Sequence, residues 1–221
     1  MKNFLNIDSP FMIFLSNLTD IVVLNVVFII CCFPIITIGP AITAMHYVTM
    51  KMVKEEDGYI LKKFFKSFKE NFKQSFIVWM VFLLITVIFV ADFKILQNMG
   101  MEENKIMTMI IGAIYLLSFL TVMYVFPLLS RFENSLKQTV KNAFFMSILH
   151  IFKTIIMAII YVIPFVLIPL HTTMIGVYLI IGAAGPAYIN SFMWNSIFKK
   201  YEPEEIKEEI TEDEEFHILE E

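Results

Sequence analysis

Apolar residues run through this chain in long unbroken blocks, with most polar residues gathered between them. Five blocks reach the ~20 residues a helix needs to cross a hydrocarbon core: Leu18–Ile38, Phe76–Leu96, Ile106–Leu128, Ile148–Leu170 and Met174–Ile197. None alternates in the two-residue rhythm of a strand, so the pattern predicts helices rather than a barrel. Pro164 and Pro169 interrupt the fourth block, and only His171-Thr172-Thr173 separates it from the fifth. Between the first two blocks, Leu61, Phe64, Phe65, Phe68, Phe72 and Phe76 recur at helical spacing with lysines among them. That spacing predicts an amphipathic helix lying in the membrane interface before the chain turns into the second span. Leu136, Val140, Ala143, Phe144 and Ile148, with Lys137 and Lys141, repeat the arrangement. The expected fold is all-α, a polytopic transmembrane helical bundle of about five spans with added interfacial amphipathic helices.

Composition leaves no other solvent than lipid. The chain is 58% hydrophobic and 17% charged, with a mean hydropathy of +0.72, where soluble domains are ~45–50% apolar and ~25% charged. Charge then divides the chain. Residues 1–201 carry 16 Lys/Arg against 10 Asp/Glu, whereas residues 202–221 carry one Lys against 11 acids. Two parts are expected: a transmembrane domain over 1–200 and an acidic, disordered cytoplasmic tail over 201–221. The loop with Lys51, Lys54, Lys62, Lys63, Lys66, Lys69 and Lys73 falls on one side of a five-span arrangement. Arg131, Lys137, Lys141, Lys153, Lys199 and Lys200 fall on that side too. The bias of basic residues toward the inside then predicts an outside amino terminus and a cytoplasmic carboxyl terminus. No cleavage-site pattern closes the first apolar run, so it is expected to stay as an anchor.

Internal echoes suggest duplication. Phe64-Phe65-Lys66-Ser67 with Phe72-Lys73 matches Phe144-Phe145-Met146-Ser147 with Phe152-Lys153 at identical spacing. Upstream, Phe33-Pro34 and Phe126-Pro127 lie near the ends of spans one and three, which reads as a parallel repeat of hairpins. Gly39-Pro40-Ala41 at the end of span one also echoes Gly185-Pro186-Ala187 within span five. A proline inside a helix removes a hydrogen bond and clashes with the preceding turn, so each site is expected to break or kink its helix. Such breaks mark midplane binding sites in transporters and equally serve as packing kinks. Both readings stand at this point.

The stretch from Asn25 through Pro34-Ile35-Ile36-Thr37-Ile38-Gly39-Pro40-Ala41 resembles the signature of the YesL family of bacterial integral membrane proteins. The block Ser130-Arg131-Phe132-Glu133-Asn134-Ser135-Leu136-Lys137-Gln138, continuing to Lys141-Asn142-Ala143-Phe144, is similar to that family's other characteristic segment. The resemblance covers about residues 11–200 and implies a multi-pass protein of the bacterial cytoplasmic membrane. Its domain has no established activity. Members are often encoded beside ATP-driven carbohydrate uptake systems, which implies an accessory or regulatory role, with a sugar permease complex or another membrane protein as partner.

Chemistry is sparse. No HExxH, GxSxG, P-loop or CxxC occurs, and the adjacent Cys31 and Cys32 read as small buried apolar groups. His46, His150, His171 and His217 are scattered and are expected at interfaces. The span centres hold no Asp, Glu, Lys or Arg, which disfavours a proton-coupled carrier. We therefore expect no enzyme, no cofactor, no metal and no nucleic-acid partner. Neutral polar groups are what the interior offers. Asn25, Asn190 and Asn195 lie near the two Gly-Pro breaks, which with Pro34, Thr37, Gly39, Pro40, Gly185 and Pro186 form the candidate binding or hinge set. Such groups commonly hydrogen-bond between helices and could equally hold a small neutral solute. Lys66, Lys69, Lys73 and Arg131, the sole arginine, are the candidate contacts for lipid phosphate or for an acidic partner.

Overall fold

The first apolar block stops short of Ile38 because of Pro34. The residue before a proline is pushed out of the α region, and helix α1 (Pro10–Cys32) ends just before Phe33. Pro34 is extended, a single 3-10 turn spans Ile35–Thr37, and α2 (Ile38–Val53) follows. The structure is a computed structural model that describes residues 10–54, 59–98, 105–167 and 173–202. Six more helices complete the described residues: α3 (Ile60–Asn98), α4 (Lys105–Arg131), α5 (Leu136–Leu149), α6 (Ile151–Leu167), α7 (Thr173–Ile181) and α8 (Ala184–Phe198). The all-α fold is as expected. Three helices, α1, α3 and α4, are individually long and apolar enough to cross a membrane. Two bent pairs, α5–α6 at 99° and α7–α8 at 49°, raise that to five if each counts as one span.

Contacts set the direction of the first three helices. Asp20 and Val23 of α1 share a cleft with Tyr59, Ile60 and Leu61, while Trp79 Nε1 donates to Ile35 O at 2.7 Å. Gly39 lies against Ser75 and Trp79, and the Thr43 and Ser75 hydroxyls are 2.8 Å apart. Thus α1 and α3 run the same way, and α2 returns antiparallel between them. Strict alternation of one crossing per apolar run would have opposed α1 to α3. The return helix escaped that count because its 16 residues mix apolar positions with His46, Thr43, Thr49 and Lys51.

Two further expectations are corrected. The segment with Leu61, Phe64 and Phe68 is no separate interfacial helix. It is collinear with the span, and α3 runs uninterrupted for 39 residues, about 58 Å at 1.5 Å per residue. No proline or glycine falls within it to turn the chain. The prolines of the two Gly-Pro echoes, moreover, start helices instead of kinking them. Thr37 caps α2 and Ala183 caps α8, so Pro40 and Pro186 are each the third helical residue. The first turn of a helix has unpaired amides anyway, so a proline there forfeits nothing. The Phe-Phe-x-Ser echo holds for one turn: Ser67 and Ser147 are buried, Phe65 and Phe145 exposed. Beyond it, α3 continues straight whereas α5 ends and α6 departs at 99°. Upstream, Phe33 is 92% exposed but Phe126 only 3%, so those two Phe-Pro pairs share no environment.

Buried residues gather toward one end. Tyr124–Leu129 of α4 pack with Trp194, Ile197 and Phe198 of α8, Ala143 and Met146 of α5, and Met157 of α6. A neighbouring cluster joins Ile21 and Leu24 to Ala41, Ala44, Met45 and Val48, with Phe64, Ala184 and Ala187. The remaining length of α3 and α4 exposes Val81, Leu84, Val87, Ile88, Ile106, Ile110, Ile114 and Leu117, surface suited to lipid.

Candidate functional site

The break between α7 and α8 leaves carbonyls at the end of one helix and amides at the start of the next without intrahelical partners. Asn25 of α1, fully buried, supplies both. Its Nδ2 donates to Leu179 O at 2.8 Å and to Tyr178 O at 3.3 Å. Its Oδ1 accepts from Ala183 N and Ala184 N, both at 2.9 Å. Asn25 thereby bridges the break, and its hydrogen-bonding capacity is spent inside the protein. A side chain at Gly182 would meet Tyr178 Cα at 2.6 Å, which explains the glycine there.

The break between α1 and α2 is pinned differently. Thr37 Oγ1 lies 2.6 Å from Cys31 O and 2.7 Å from Pro34 O, and the Trp79 indole reaches Ile35 O. Gly39 permits the close crossing that follows. A Cβ there would stand 2.6 Å from both Ser75 O and Trp79 Cβ. Gly185, its counterpart in α8, has nothing nearer than Ile181 Cβ at 3.8 Å. The echo is thus shared in helix position but not in packing.

Asn190 and Asn195 stitch α8 to its neighbours. Asn190 Nδ2 donates to Met157 O at 3.2 Å, and Asn195 Nδ2 to Met50 O at 3.0 Å. Ser191 Oγ lies 2.8 Å from Thr49 Oγ1. His46, expected at an interface, is instead buried on α2, edge-on to Tyr161 and Trp194 with ring centroids 6.1 and 6.3 Å away. Its Nε2 lies 3.4 Å from the Tyr161 hydroxyl. Four buried atoms here lack a partner in good hydrogen-bond geometry, His46 Nδ1, Asn190 Oδ1, Trp194 Nε1 and Asn195 Oδ1, although the Tyr161 hydroxyl lies close to Asn190 and Trp194. His150, by contrast, is half-buried and meets Tyr201 OH at 3.0 Å. Pro169, His171, His217 and the acidic tail beyond Glu202 lie outside the described residues.

The charged candidates separate into two kinds. Arg131 donates from Nε at 2.9 Å, and also from Nη2, to Glu202 Oε1. Glu202 is almost wholly buried, so the arginine already holds a carboxylate from its own chain. Phe132 and Phe198 pack edge-on beside this pair at 5.5 Å. Lys66, Lys69 and Lys73 are exposed, as is Lys62. At 100° per residue these four form a stripe about 170° from the buried Phe64, Ser67, Ser75 and Val78. Exposed Phe65 and Phe72 flank that stripe. On α5, Lys137 and Lys141 are likewise exposed and turned roughly 155° from buried Thr139, Ala143, Met146 and Ser147.

Residues 21–93, from α1 into the apolar half of α3, match a family model described as a protein of unknown function, DUF624. The uncharacterized protein YesL of Bacillus subtilis (strain 168) is 26% identical over 120 residues, 54% of this chain and 56% of that protein. Over these segments the chain is similar to the DUF624 family model and to YesL. The match thus spans little more than half the length of that curated relative. No solved structure matches. Within the segment matched by the family model fall Asn25, the break at Phe33–Thr37, Gly39, Pro40 and the lysine stripe, whereas Gly185, Pro186, Asn190, Asn195 and Arg131 fall outside it.

Three residues of this site escaped sequence reasoning. Glu202 reads as the first acid of a solvated tail, and only the return of α8 to the end of α4 pairs it with Arg131, 71 positions away. His46 and Tyr161 are 115 positions apart and no spacing connects them. One signal was legible in principle for His46: it lies among Ala41, Thr43, Ala44, Val48 and Thr49, small or β-branched neighbours of the kind that line close helix contacts.

Proposed function

We propose that this chain is a non-catalytic integral membrane protein that serves a carbohydrate uptake system as an accessory or regulator, docking its partner on the lysine face of α3. The observation that carries the docking half is the geometry of that face. From Phe76, where the apolar part of α3 begins, Lys73 is about 5 Å along the helix, Lys66 about 15 Å and Lys62 about 21 Å. A tilt of ~20° changes these distances little. Four exposed lysines in one row, with no ion pair among the described residues, form a surface that an acidic partner would complement. An acidic, partly apolar protein surface fits lysines flanked by Phe65 and Phe72. The sugar-uptake half rests on what resemblance to the family implies. By the positive-inside rule the lysine-bearing end faces the cytoplasm, and because α1 runs parallel to α3 its amino-terminal end falls on that side too, not outside as block alternation predicts.

A second reading, a carrier for a small neutral solute, draws on the four buried polar atoms without well-placed partners around His46 and Trp194. One experiment addresses both. The protein is purified in mild detergent from its native membrane, as wild type and as the triple variant Lys66→Glu, Lys69→Glu, Lys73→Glu, with mass spectrometry of what stays bound. A stoichiometric membrane-protein partner that the variant loses supports docking. A partner retained by a folded variant removes the lysine face. A partner-free wild type moves the assignment to the solute reading, tested by sugar uptake into vesicles.

A further inference from the structure

The lysine face and the root of the acidic segment belong to the same end of the bundle. Val48 and Met52 of α2 pack in one cluster with Phe64, Ile60 and Phe68 of α3. The adjacent Met50 carbonyl receives Asn195 of α8. Seven residues later Glu202 is held by Arg131, so the chain leaves the described bundle at a fixed point near the lysine-bearing end. Residues 203–221 then hold ten acids and one lysine, with Ile206, Ile210, Phe216, Ile218 and Leu219 among them. Lys62, Lys66, Lys69 and Lys73 are exposed, and no ion pair engages them among the described residues.

We propose that residues 203–221 are an intramolecular occupant of the α3 lysine stripe, covering the face that the accessory reading gives to a partner. The inference rests on that reading for its regulatory meaning and on geometry and charge for the contact itself. Reach is ample: 19 residues extend to about 60 Å, whereas Lys62 to Lys73 spans about 17 Å along α3. Opposite charge draws the segment to the stripe, while an anionic leaflet repels it. The apolar residues of the segment match the exposed Phe65 and Phe72 that border the lysines. Anchoring at Arg131–Glu202 raises the effective concentration of the segment at the stripe without any further contact. Occupancy is then sensitive to salt, and a partner must compete with it.

The test uses the full-length protein in nanodiscs of neutral phosphatidylcholine, with no partner present. Zero-length carbodiimide cross-linking and peptide mass spectrometry read which lysines meet the acids of 203–221. Cross-links concentrated on Lys62, Lys66, Lys69 and Lys73, falling about tenfold or more between 50 mM and 500 mM salt, are expected. Replacing Lys66, Lys69 and Lys73 by Gln should remove them, and exposure opposite the buried stripe leaves the fold of that variant intact. Cross-links only to Lys137, Lys141, Lys199 or Lys200, or none at all, overturn the proposal. Because the assay contains no partner, its failure is independent of the docking result. Tail cross-links with a partner indifferent to charge reversal would sink the docking reading alone.

Discussion

Replacing Asn25 by Leu removes one amide of nearly the same volume and leaves three groups at the α7–α8 break without their partner, Tyr178 O alone keeping the Gly182 amide. Leu179 O loses a 2.8 Å bond, and Ala183 N and Ala184 N each lose one of 2.9 Å. Volume is conserved, so a cavity contributes little. Interhelical hydrogen bonds in membrane proteins average about 0.6 kcal/mol and reach ~1.7, which for three bonds gives roughly 2–5 kcal/mol. The upper half is favoured because Asn25 is fully buried and α8 has no side-chain cap of its own at Ala183. A lost helix cap typically costs ~1 kcal/mol. The assay is reversible unfolding of the purified protein in bicelles, paired with hydrogen exchange of the peptide spanning Ile181–Ala184. We expect a loss of about 4 kcal/mol and faster exchange confined to that peptide. Stability within ~0.5 kcal/mol of wild type and unchanged exchange there would falsify the bridging role of Asn25.

Gly39→Ala places a methyl 2.6 Å from Ser75 O and Trp79 Cβ, so α2 and α3 must part, at a cost of about 1–3 kcal/mol. Gly185→Ala meets only Ile181 Cβ at 3.8 Å, and its gain in helix propensity should leave stability unchanged or raised by up to ~1 kcal/mol; the two midpoints measured side by side decide the matter, equal shifts counting against the crossing geometry. Arg131→Gln strands the buried Glu202 carboxylate and should cost roughly 2–3 kcal/mol, less than a fully buried pair because Arg131 is 19% exposed. Glu202→Gln should cost less. A double-mutant cycle with no coupling between them would remove the pair as an anchor.

The extent to which the sequence was legible follows from the range of each interaction. Apolar block length marked α1, α3 and α4, because lipid demands it of any spanning helix. Local spacing placed Lys62, Lys66, Lys69 and Lys73 on one face of α3, whereas Leu61, Phe65 and Phe72 of the expected apolar face are exposed and the buried stripe carries Ser67 and Ser75 instead. The matched helix starts at Gly39-Pro40 and Gly185-Pro186 were visible as an echo, although their role as starts rather than kinks depends on the breaks at Phe33–Thr37 and Gly182–Ala183. What spacing could not disclose was long-range. The bond from Asn25 to Ala184 spans 159 positions, and the return of α2 between α1 and α3 depends on the Gly39 crossing. The 99° turn at His150 has no proline or glycine to announce it. Hydropathy averages over a window and ignores where a chain reverses.

Trp79 is the middle residue of α3, with 19 residues on either side, and it is where Gly39 and Ile35 hold that helix. A stiff rod gripped at its centre is a balanced lever. Each arm is about 28 Å long, one carrying the lysines and the other the lipid-exposed Leu84, Val87 and Ile88. The charged arm is packed against α2 through Ile60, Phe64 and Phe68, so a push on that arm moves α2 with it. The bent pairs α5–α6 and α7–α8 cannot relay such a push, because each would absorb it at its bend. With Gly39 at its midpoint, α3 is an unbroken path along which an event at one end of the bundle reaches the other.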